Sequence, residues 1–318
     1  MNKLSNPKKG PYLASVSANR RIGTRFYRLN LSFQHQAAEA FTNAIPGQFA
    51  QLDLSKAALP ALDAIPQDLI DCSQRKILLR RPFSFAEINT ENGQTSVDIL
   101  YCVLGPATLR MTTLKQGDSI SVIGPLGNGF SIPENKKTAL LIAGGMGAGP
   151  LLHLAQFLST NHPDIETIAF AGAKTVKDLP FEKSLDKISQ TLDFSLAEFA
   201  RLGINSLVST DDGSAGSKGF VTECLSSWLE KNRLSTNDTV IYACGPEPML
   251  AKVAEISQQR NIDCQVSMER MMACGIGLCQ SCAVECKKDN SNETVYKLCC
   301  KDGPVFDAKE VFFGKNNL

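Results

Sequence analysis

Three cysteines near the carboxyl end of this chain have a spacing that constrains the fold more than any other feature. Cys274, Cys279 and Cys282 form a C-x4-C-x2-C motif, and Cys300 follows after 17 further residues. This arrangement is typical of plant-type [2Fe–2S] clusters, in which four thiolates bind two irons. Four thiolates also bind Zn²⁺, but zinc ribbons usually pair two C-x2-C motifs, so the spacing favours the cluster. The chain must therefore fold so that sulfurs distant in sequence meet in one loop region.

The spacing does not decide which residue is the fourth ligand. Cys299 and Cys300 are adjacent, and Cys286 lies between them and the motif. Gly275 and Gly277 would let the loop wrap closely around the cluster, with its N–H groups directed at sulfur. The fourth ligand stays open among three cysteines at this point.

Composition excludes several function classes. The 33 Lys and Arg residues balance 32 Asp and Glu residues, and a net charge of +1 offers no basic surface for nucleic acid or anionic membranes. The odd count of 11 cysteines, crowded at one end, favours metal binding in a reducing compartment over a disulfide framework. The amino-terminal residues lack the apolar core of a secretory signal. Glycines and Pro150 interrupt the most apolar stretch, Thr138–Leu158, which argues against a membrane span. We expect a cytoplasmic protein with neither a nucleic-acid nor a membrane partner.

The first third of the chain has the pattern of a small antiparallel barrel. Short runs rich in β-branched and aromatic residues alternate with Gly, Pro and Asn turns. The stretch Ser55–Arg75 interrupts this rhythm and is expected to be a long loop or an inserted helix. The six predicted strands are Tyr12–Ser17, Phe26–Phe33, Gln48–Leu54, Lys76–Leu79, Ser96–Leu104 and Ser119–Ile123.

From Lys137 onward, apolar runs alternate with helical segments, as in a doubly wound parallel sheet. The predicted strands are Ala139–Ala143, Thr167–Ala171, Asn205–Ser209 and Thr239–Ala243. The predicted helices are Pro150–Ser159, Glu182–Leu192, Phe220–Lys231 and Glu247–Arg260. The cysteine-rich end has too few apolar residues for its own core, and a bound cofactor would supply the missing cross-links. We place three domains at residues 1–134, 135–262 and 263–318.

Two small-residue turns follow predicted parallel strands. The first holds Gly144, Gly145, Gly147, Gly149 and Pro150, and it opens a helix whose amino terminus suits a pyrophosphate. A glycine-rich turn can also be only a tight strand-to-helix connection. The second turn holds Cys244, Gly245 and Pro246. Both turns lie at the carboxyl edge of the sheet, where doubly wound folds bind ligands.

A basic segment ends one of the barrel strands. Arg80, Arg81, Pro82, Phe83 and Ser84 combine guanidinium and hydroxyl donors suited to a flavin phosphate and ring. The alternative is a solvated basic face. The three histidines stand far apart without a paired carboxylate motif, so a Ser/His/Asp hydrolase is not supported.

With these motifs in this order, the chain resembles the electron transfer subunits of class B dihydroorotate dehydrogenases, within the ferredoxin-NADP reductase superfamily. The resemblance covers nearly the whole chain. It is carried by Pro46-Gly-Gln-Phe49, Arg81-Pro-Phe-Ser84, Gly124-Pro-Leu-Gly-Asn-Gly-Phe130, Ala143–Pro150, Thr210-Asp-Asp-Gly-Ser214, Cys244-Gly-Pro246, the cysteine loop and Cys300-Lys-Asp-Gly-Pro-Val-Phe306.

The resemblance implies three cofactors: FAD on the barrel, NAD on the parallel sheet and a [2Fe–2S] cluster at the end. Hydride would pass between nicotinamide and flavin near Cys244, and the fourth cluster ligand would be Cys300. Cys102 stands where the family often has arginine, and Gly105-Pro-Ala-Thr108 replaces a Gly-x-Gly-Thr turn. The implied flavin contacts are Arg81, Pro82, Phe83, Ser84, Leu100, Tyr101, Cys102, Ala107 and Thr108.

The resemblance also implies a role and a partner. An FMN-containing catalytic subunit would oxidise dihydroorotate to orotate in pyrimidine biosynthesis, and this chain would pass the electrons to NAD, in a heterotetramer with two copies of each. NAD is expected over NADP because Asp211 and Asp212 would repel a 2′-phosphate, although Lys174 and Lys218 would act in the opposite direction.

Two other interpretations stay open. One is an NAD(P)H-dependent reductase with the same three modules that serves ferredoxin, sulfide or another flavoprotein. The other is a non-catalytic sensing module that carries a cluster or zinc, because likeness of fold does not settle function.

Overall fold

A curled antiparallel sheet forms the first part of the computed structural model, which describes residues 10–181, 196–288 and 293–314. Its seven strands lie in the spatial order β4-β3-β7-β1-β2-β6-β5. They are β1 (Gly10–Arg21), β2 (Phe26–Gln34), β3 (Phe49–Leu52), β4 (Arg81–Ser84), β5 (Glu87–Glu91), β6 (Gln94–Cys102) and β7 (Ser119–Leu126). Helix α1 (His35–Thr42) packs on this sheet through Phe41, which stacks on Phe33 at 4.0 Å between ring centroids.

The predicted antiparallel architecture is confirmed, but the strand count and one position differ. The predicted strand Lys76–Leu79 is irregular, because its leucines face solvent and Leu78 is 85% exposed. The strand instead forms five residues later, as β4. The missed strand β5 is a mostly polar edge strand, and the apolar pattern that identifies strands is weak there.

The stretch Ser55–Arg75 is a long connection with short helical turns, as expected. It contains 3-10 turns at Leu62–Ala64 and Gln67–Leu69 and a short helix, α2 (Ile70–Ser73). The buried side chains of Ile65 and Leu69 anchor it to the core of the antiparallel sheet.

A parallel sheet follows, and its two faces are covered by different helices, so the predicted doubly wound architecture is confirmed. The strand order is β11-β10-β9-β8-β12-β13-β16. Helix α4 packs on one face, and α6 and α7 pack on the other. The short helix α3 (Pro106–Met111) precedes β7 and packs in the core of the antiparallel sheet, and β14 (Ala283–Lys287) and β15 (Thr294–Leu298) form a separate two-stranded sheet. The elements of the parallel-sheet part are β8 (Thr138–Gly144), α4 (Ala148–Asn161), β9 (Glu166–Ala173), α5 (Ala197–Ala200), β10 (Asn205–Thr210), β11 (Ser217–Lys218), α6 (Val221–Lys231), β12 (Thr239–Cys244), α7 (Glu247–Gln259), β13 (Asp263–Ser267) and β16 (Val305–Asp307). The predicted helix Glu182–Leu192 lies outside the described residues.

The cysteine-rich region is attached to the parallel sheet at both of its ends. Strand β13 pairs in parallel with β12, and β16 pairs antiparallel with β13. Val284, Cys286 and Phe306 belong to the same core cluster as the residues of α7. This shared core explains how a region with few apolar residues folds. The boundary at residue 263 stays a prediction.

The antiparallel sheet also contacts the cysteine-rich region directly. The Asn128 side chain donates to the carbonyls of Lys301 and Asp302 at 3.2 and 3.0 Å. Among the described residues, no helix combines the length and apolar character that a membrane crossing requires.

Candidate functional site

A cleft of about 320 Å³ lies where the three parts of the chain meet. The antiparallel sheet contributes the predicted flavin residues Pro82, Phe83, Ser84, Leu100, Tyr101, Cys102 and Thr108 to its lining. The parallel sheet contributes Met146, Gly149, Pro150 and Cys244. The cysteine-rich region contributes Ser267, Met268, Glu269, Arg270, Met272 and Pro304. Residues from nearly the whole length of the chain therefore surround one space.

Some of the predicted flavin residues have structural roles. The Tyr101 ring is buried against Tyr27 at 5.3 Å, its hydroxyl donates to Asn19 at 3.1 Å, and burial raises its pKa. The Thr108 hydroxyl accepts from the backbone N–H of Leu104 at 3.0 Å and so holds the turn before α3.

Arg81 and Ala107 lie outside the lining of this cleft. The Arg81 guanidinium donates to the carbonyl of Leu79 at 2.7 Å, and Ala107 packs in the core of the antiparallel sheet. Their places as flavin contacts stay predictions.

A second, larger cleft of about 1040 Å³ lies between the antiparallel sheet and the first βα turns of the parallel sheet. Gly144, Gly145, Asp211 and Pro246 line it, and Cys102 lines both clefts. The strand order reverses between β8 and β12, and the two glycine turns leave the sheet at that point. Doubly wound folds bind nucleotides at such a reversal, because neighbouring connections run to opposite faces and leave a crevice.

Two of the predicted glycines allow the two turns to pack closely against each other rather than opening the backbone to a ligand. A Cβ on Gly147 would lie 1.9 Å from the carbonyl oxygen of Cys244, so only glycine lets the two turns approach each other. A Cβ on Gly245, where φ is +159°, would lie 2.7 Å from Met249 Cε. Gly149 differs, since a Cβ there would meet nothing within 4 Å.

Cys244 lies in the smaller cleft as a neutral, buried thiol. It is 3% exposed, and burial is the main cause that raises its pKa. Glu269 lines the same cleft, and partial burial raises the pKa of its carboxyl. The rest of the Glu269 side chain is exposed to solvent. The neutral Cys244 thiol suits a flavin ring and a hydride better than it suits a charged substrate.

The residues between Ser267 and Arg270 were not predicted as part of the site. Ser267 pairs with Cys244 across β12 and β13, at the carboxyl edge where the glycine turns also end. Arg270 forms an ion pair of 2.9 Å with Glu247 at the start of α7. The sequence signal that could have identified these residues is the alternation of apolar and polar residues in β13, just before the cysteine motif.

The predicted cluster ligands come together in two pairs. The Cys279 N–H points at Cys274 Sγ at 3.4 Å, and the Cys300 N–H points at Cys282 Sγ at 3.4 Å. Gly275 has φ +69° and Gly277 has φ +87°, the left-handed conformations that aim consecutive N–H groups into a loop. Donors directed at thiolate sulfur are what an anionic iron–sulfur cluster requires.

The pKa values of two predicted ligands shift in opposite directions, and only that of Cys279 favours a thiolate. The Ser281 hydroxyl, 3.2 Å from Cys279 Sγ, and nearby backbone N–H groups lower the pKa of Cys279 to about 6. A thiolate is the form that binds metal. Burial raises the pKa of Cys300 to about 12, with Cys282 as a further cause.

The other two cysteines of this region have different surroundings. Cys299 Sγ donates to the carbonyl of Met268 at 3.2 Å and is fully buried. Cys286 is fully buried in β14 opposite Val295. Within the described ranges, no three His, Cys, Asp or Glu side chains are close enough to hold a single metal ion. The fit to a cluster therefore rests on the N–H···S contacts and the loop conformation.

Comparison with known proteins agrees with this division of the chain. A family described as the iron-sulfur cluster binding domain of dihydroorotate dehydrogenase B matches residues 269–312, and one described as an oxidoreductase NAD-binding domain matches residues 141–255. A Caldanaerobacter subterraneus protein is 35% identical over 300 residues, which are 94% of this chain and 98% of the relative. A Bacillus pumilus protein is 33% identical over 305 residues, 95% of this chain and 98% of the relative. Both carry the name dihydroorotate dehydrogenase B (NAD(+)), electron transfer subunit.

Solved structures share the fold. An NADH-dependent reduced ferredoxin-NADP oxidoreductase superposes with a TM-score of 0.71 at 24% identity, covering 96% of this chain and 91% of its own. An Amycolatopsis cytochrome P450 reductase superposes with a TM-score of 0.56 at 21% identity, covering 80% of this chain and 67% of its own.

Proposed function

This chain belongs to the family of dihydroorotate dehydrogenase B electron transfer subunits, and from that premise we propose how its residues connect NAD to an iron–sulfur cluster. It is the oxidoreductase component that uses FAD, NAD and a [2Fe–2S] cluster in pyrimidine biosynthesis. It works with a catalytic partner subunit. Relatives of this name at 33–37% identity set aside the alternatives of a different reductase and a sensing module.

The observation that carries the proposal is that all three parts of the chain line the smaller cleft. FAD, when bound, exchanges a hydride with NAD and single electrons with the cluster. Phe83, Ser84 and Leu100 of the antiparallel sheet and Met268 and Pro304 of the cysteine-rich region line this cleft and would border the flavin ring. The cysteine-rich region therefore lies against the flavin site itself.

NAD occupies the larger cleft in this proposal. Gly144, Gly145 and the amino terminus of α4 bind its pyrophosphate, because the bare backbone lets phosphate reach the N–H groups. Asp211 faces the adenosine ribose, and Lys174 lines the same cleft. Cys102, Leu104 and Met146 line both clefts, so nicotinamide and flavin would meet near these residues.

Cys244 acts by position rather than by proton transfer. Burial keeps the Cys244 thiol neutral, so it serves as a small wall that sets the approach of nicotinamide to the flavin. Orientation of two reactants in a closed site accounts for a large part of catalysis without acid or base.

The cluster is held by Cys274, Cys279, Cys282 and Cys300 in this proposal. Its loop reaches the surface, since Cys279 and Leu278 are exposed. An exposed ligand loop favours electron transfer to a second protein. We assign that partner as an FMN-containing subunit, in a cytoplasmic heterotetramer with two copies of each.

The test is the visible spectrum and the iron, sulfide and flavin content of anaerobically purified protein during titration with NADH. We expect about two irons and one FAD per chain, and bleaching of both the flavin and the cluster bands. A protein that contains zinc and ignores NADH would overturn the proposal. Co-purification with a dihydroorotate-oxidising subunit tests the partner, and the mass of the complex tests its stoichiometry.

A further inference from the structure

The side chain of Gln51 is buried without a hydrogen-bond partner. Gln51 lies in β3 and is 0% exposed, and neither its Oε1 nor its Nε2 has a partner among the described residues. Buried amides are nearly always paired, because an unpaired one loses its bonds to water without replacement. Gln48, three residues earlier, shows the usual arrangement. Its Oε1 accepts from the Ile45 N–H, and its Nε2 donates to the Gly127 carbonyl, both at 2.8 Å.

The alternation of β3 directs Gln51 away from the interior of the antiparallel sheet. Ala50 and Leu52 belong to that core, whereas Phe49 packs with Cys282 and Cys300 in the other core cluster. Residues 49 and 51 share one face because side chains alternate along a strand. The Gln51 carboxamide thus projects toward the cysteine-rich region.

The carboxamide lies directly against the loop of the cluster ligands. A Cβ on Gly275 would lie 2.0 Å from Gln51 Nε2, and Gly275 follows Cys274 in the chain. On its other side, Gln51 pairs with Pro82 of β4, which lines the flavin cleft. Gln51 therefore stands between the proposed flavin wall and the proposed cluster loop.

We propose that Gln51 Nε2 donates a hydrogen bond to a sulfur of the [2Fe–2S] cluster on the Cys274 side, and that Gln51 is a positioning residue that raises the cluster's reduction potential. The proposal rests on the cluster assignment made above. The described part of the chain supplies no acceptor for Gln51 Nε2, and anionic sulfur is the acceptor that the adjacent ligand loop would bring. Reduction adds negative charge to the cluster, so a donor at sulfur stabilises the reduced form more than the oxidised one.

The test compares Gln51→Leu with the wild-type holoprotein, using a potentiometric titration followed by electron paramagnetic resonance. We expect the equilibrium constant for cluster reduction to fall about tenfold, equivalent to about 59 mV for one electron. Gln51→Glu, which replaces the donor with an anion, should lower it further. In the wild type, the Fe–S stretching bands in resonance Raman spectra should shift in D₂O, and the shift should shrink in Gln51→Leu.

Gln48→Leu is the matched control, because it removes a buried carboxamide whose hydrogen bonds are made to other groups of the protein. It should leave the cluster potential unchanged. An unchanged cluster potential in both Gln51 variants would overturn the proposal, as would a shift confined to the flavin potential, which would place the donor on the flavin. If the Gln51→Leu protein does not fold or does not incorporate the cluster, Gln51→Met allows the same comparison with an unbranched side chain. If NADH reduces both the flavin and the cluster in the wild type, the proposed function holds whatever the Gln51 variants show. Failure of the Gln51 proposal can therefore be distinguished from failure of the proposed function.

Discussion

At the scale of single residues, neighbours in sequence have different surroundings in the fold. Cys299 and Cys300 are adjacent, yet Cys299 bonds to the carbonyl of Met268 while the Cys300 N–H points at Cys282 Sγ. The Cys299 thiol is bonded to a backbone carbonyl, and this supports Cys300 as the proposed fourth ligand.

Alanine substitutions should separate these two cysteines. Cys300→Ala should lose the cluster absorbance and most of the iron, because one of four ligands is missing. Cys299→Ala should keep two irons per chain and lose roughly 1 kcal/mol of unfolding free energy, the order expected for deleting one buried heavy atom. Iron analysis and visible spectra measure both. The opposite pattern, with iron retained only in Cys300→Ala, would assign the ligand to Cys299.

Asp211 and Asp212 differ in the same way. Asp212 accepts from the N–H and hydroxyl of Ser214 at 2.9 and 2.6 Å, and the hydroxyl is the main cause that lowers its pKa. It therefore stabilises a turn, whereas Asp211 lines the larger cleft.

Asp211→Ser should raise the ratio of kcat/KM for NADPH to that for NADH about tenfold, because it removes a negative charge facing the 2′-phosphate. Asp212→Ser is the control and should leave this ratio unchanged. Steady-state kinetics with an artificial acceptor measure both variants. Equal ratios in the wild type and Asp211→Ser would remove Asp211 from the nucleotide site.

At the scale of elements, α4 carries a buried histidine into the junction between the two sheets. His153 packs edge-on to Phe85 at 6.3 Å between ring centroids, and its Nδ1 has no hydrogen-bond partner in the described part of the chain. Burial lowers the pKa of His153 to about 3. The folded protein therefore keeps this imidazole neutral.

This shift predicts an acid sensitivity with a definite sign. Between pH 6.5, the ordinary value, and about 3, the unfolded chain binds a proton that the folded chain excludes. Stability from this group is therefore intact above pH 6.5 and falls by up to about 1.4 kcal/mol per pH unit below it. His153→Leu should flatten this part of the dependence in chemical unfolding measured from pH 7 to 4.5. His162→Leu, at the end of α4, is the control; equal slopes for His153→Leu and wild type would contradict the prediction.

At the scale of the whole molecule, polar contacts fix the two sheets relative to each other. Gln156 of α4 accepts from the Ile88 N–H at 3.0 Å and donates to the Ile88 carbonyl at 2.9 Å, so it covers the edge of β5. Glu87 of β5 forms ion pairs with Arg28 and with Arg201, which follows α5. The Gln156–Ile88 and Glu87–Arg201 contacts connect the antiparallel sheet to the helical layer of the parallel sheet, whereas the Glu87–Arg28 pair lies within the antiparallel sheet.

Gln156→Ala should lower the unfolding free energy by about 1–3 kcal/mol, because it leaves the Ile88 backbone groups without these partners. It should also slow flavin reduction by NADH in stopped-flow experiments, with iron and flavin content unchanged. Gln258→Ala, an exposed position on α7, is the matched control. Wild-type rates and stability in Gln156→Ala would show that this contact does not hold the sheets together.

Much of the fold was predictable because its signals are local. The strands β8, β9 and β12 are largely apolar runs, and such runs identify buried parallel strands without knowledge of their neighbours. The cysteine spacing and the glycine turns are likewise local, since a loop that wraps a cluster or a phosphate needs its residues at fixed intervals. Together with the basic segment at the end of a barrel strand, these signals carried the family resemblance, which implied three cofactors.

The tertiary structure alone decided which residues meet. Strand β5 and the residues from Ser267 to Arg270 carry weak patterns of their own, and their roles come from the strands and helices they contact. The same holds for Gln51, which has no distinguishing signal in the sequence. Its proposed role comes from its contact with Gly275, more than 200 positions away in the chain. By itself, the sequence determined the elements and the chemistry each can support, because propensity and spacing act over short distances. Only the folded chain determined the cleft in which the proposed flavin, nucleotide and cluster sites meet, because that cleft depends on contacts between residues far apart in sequence.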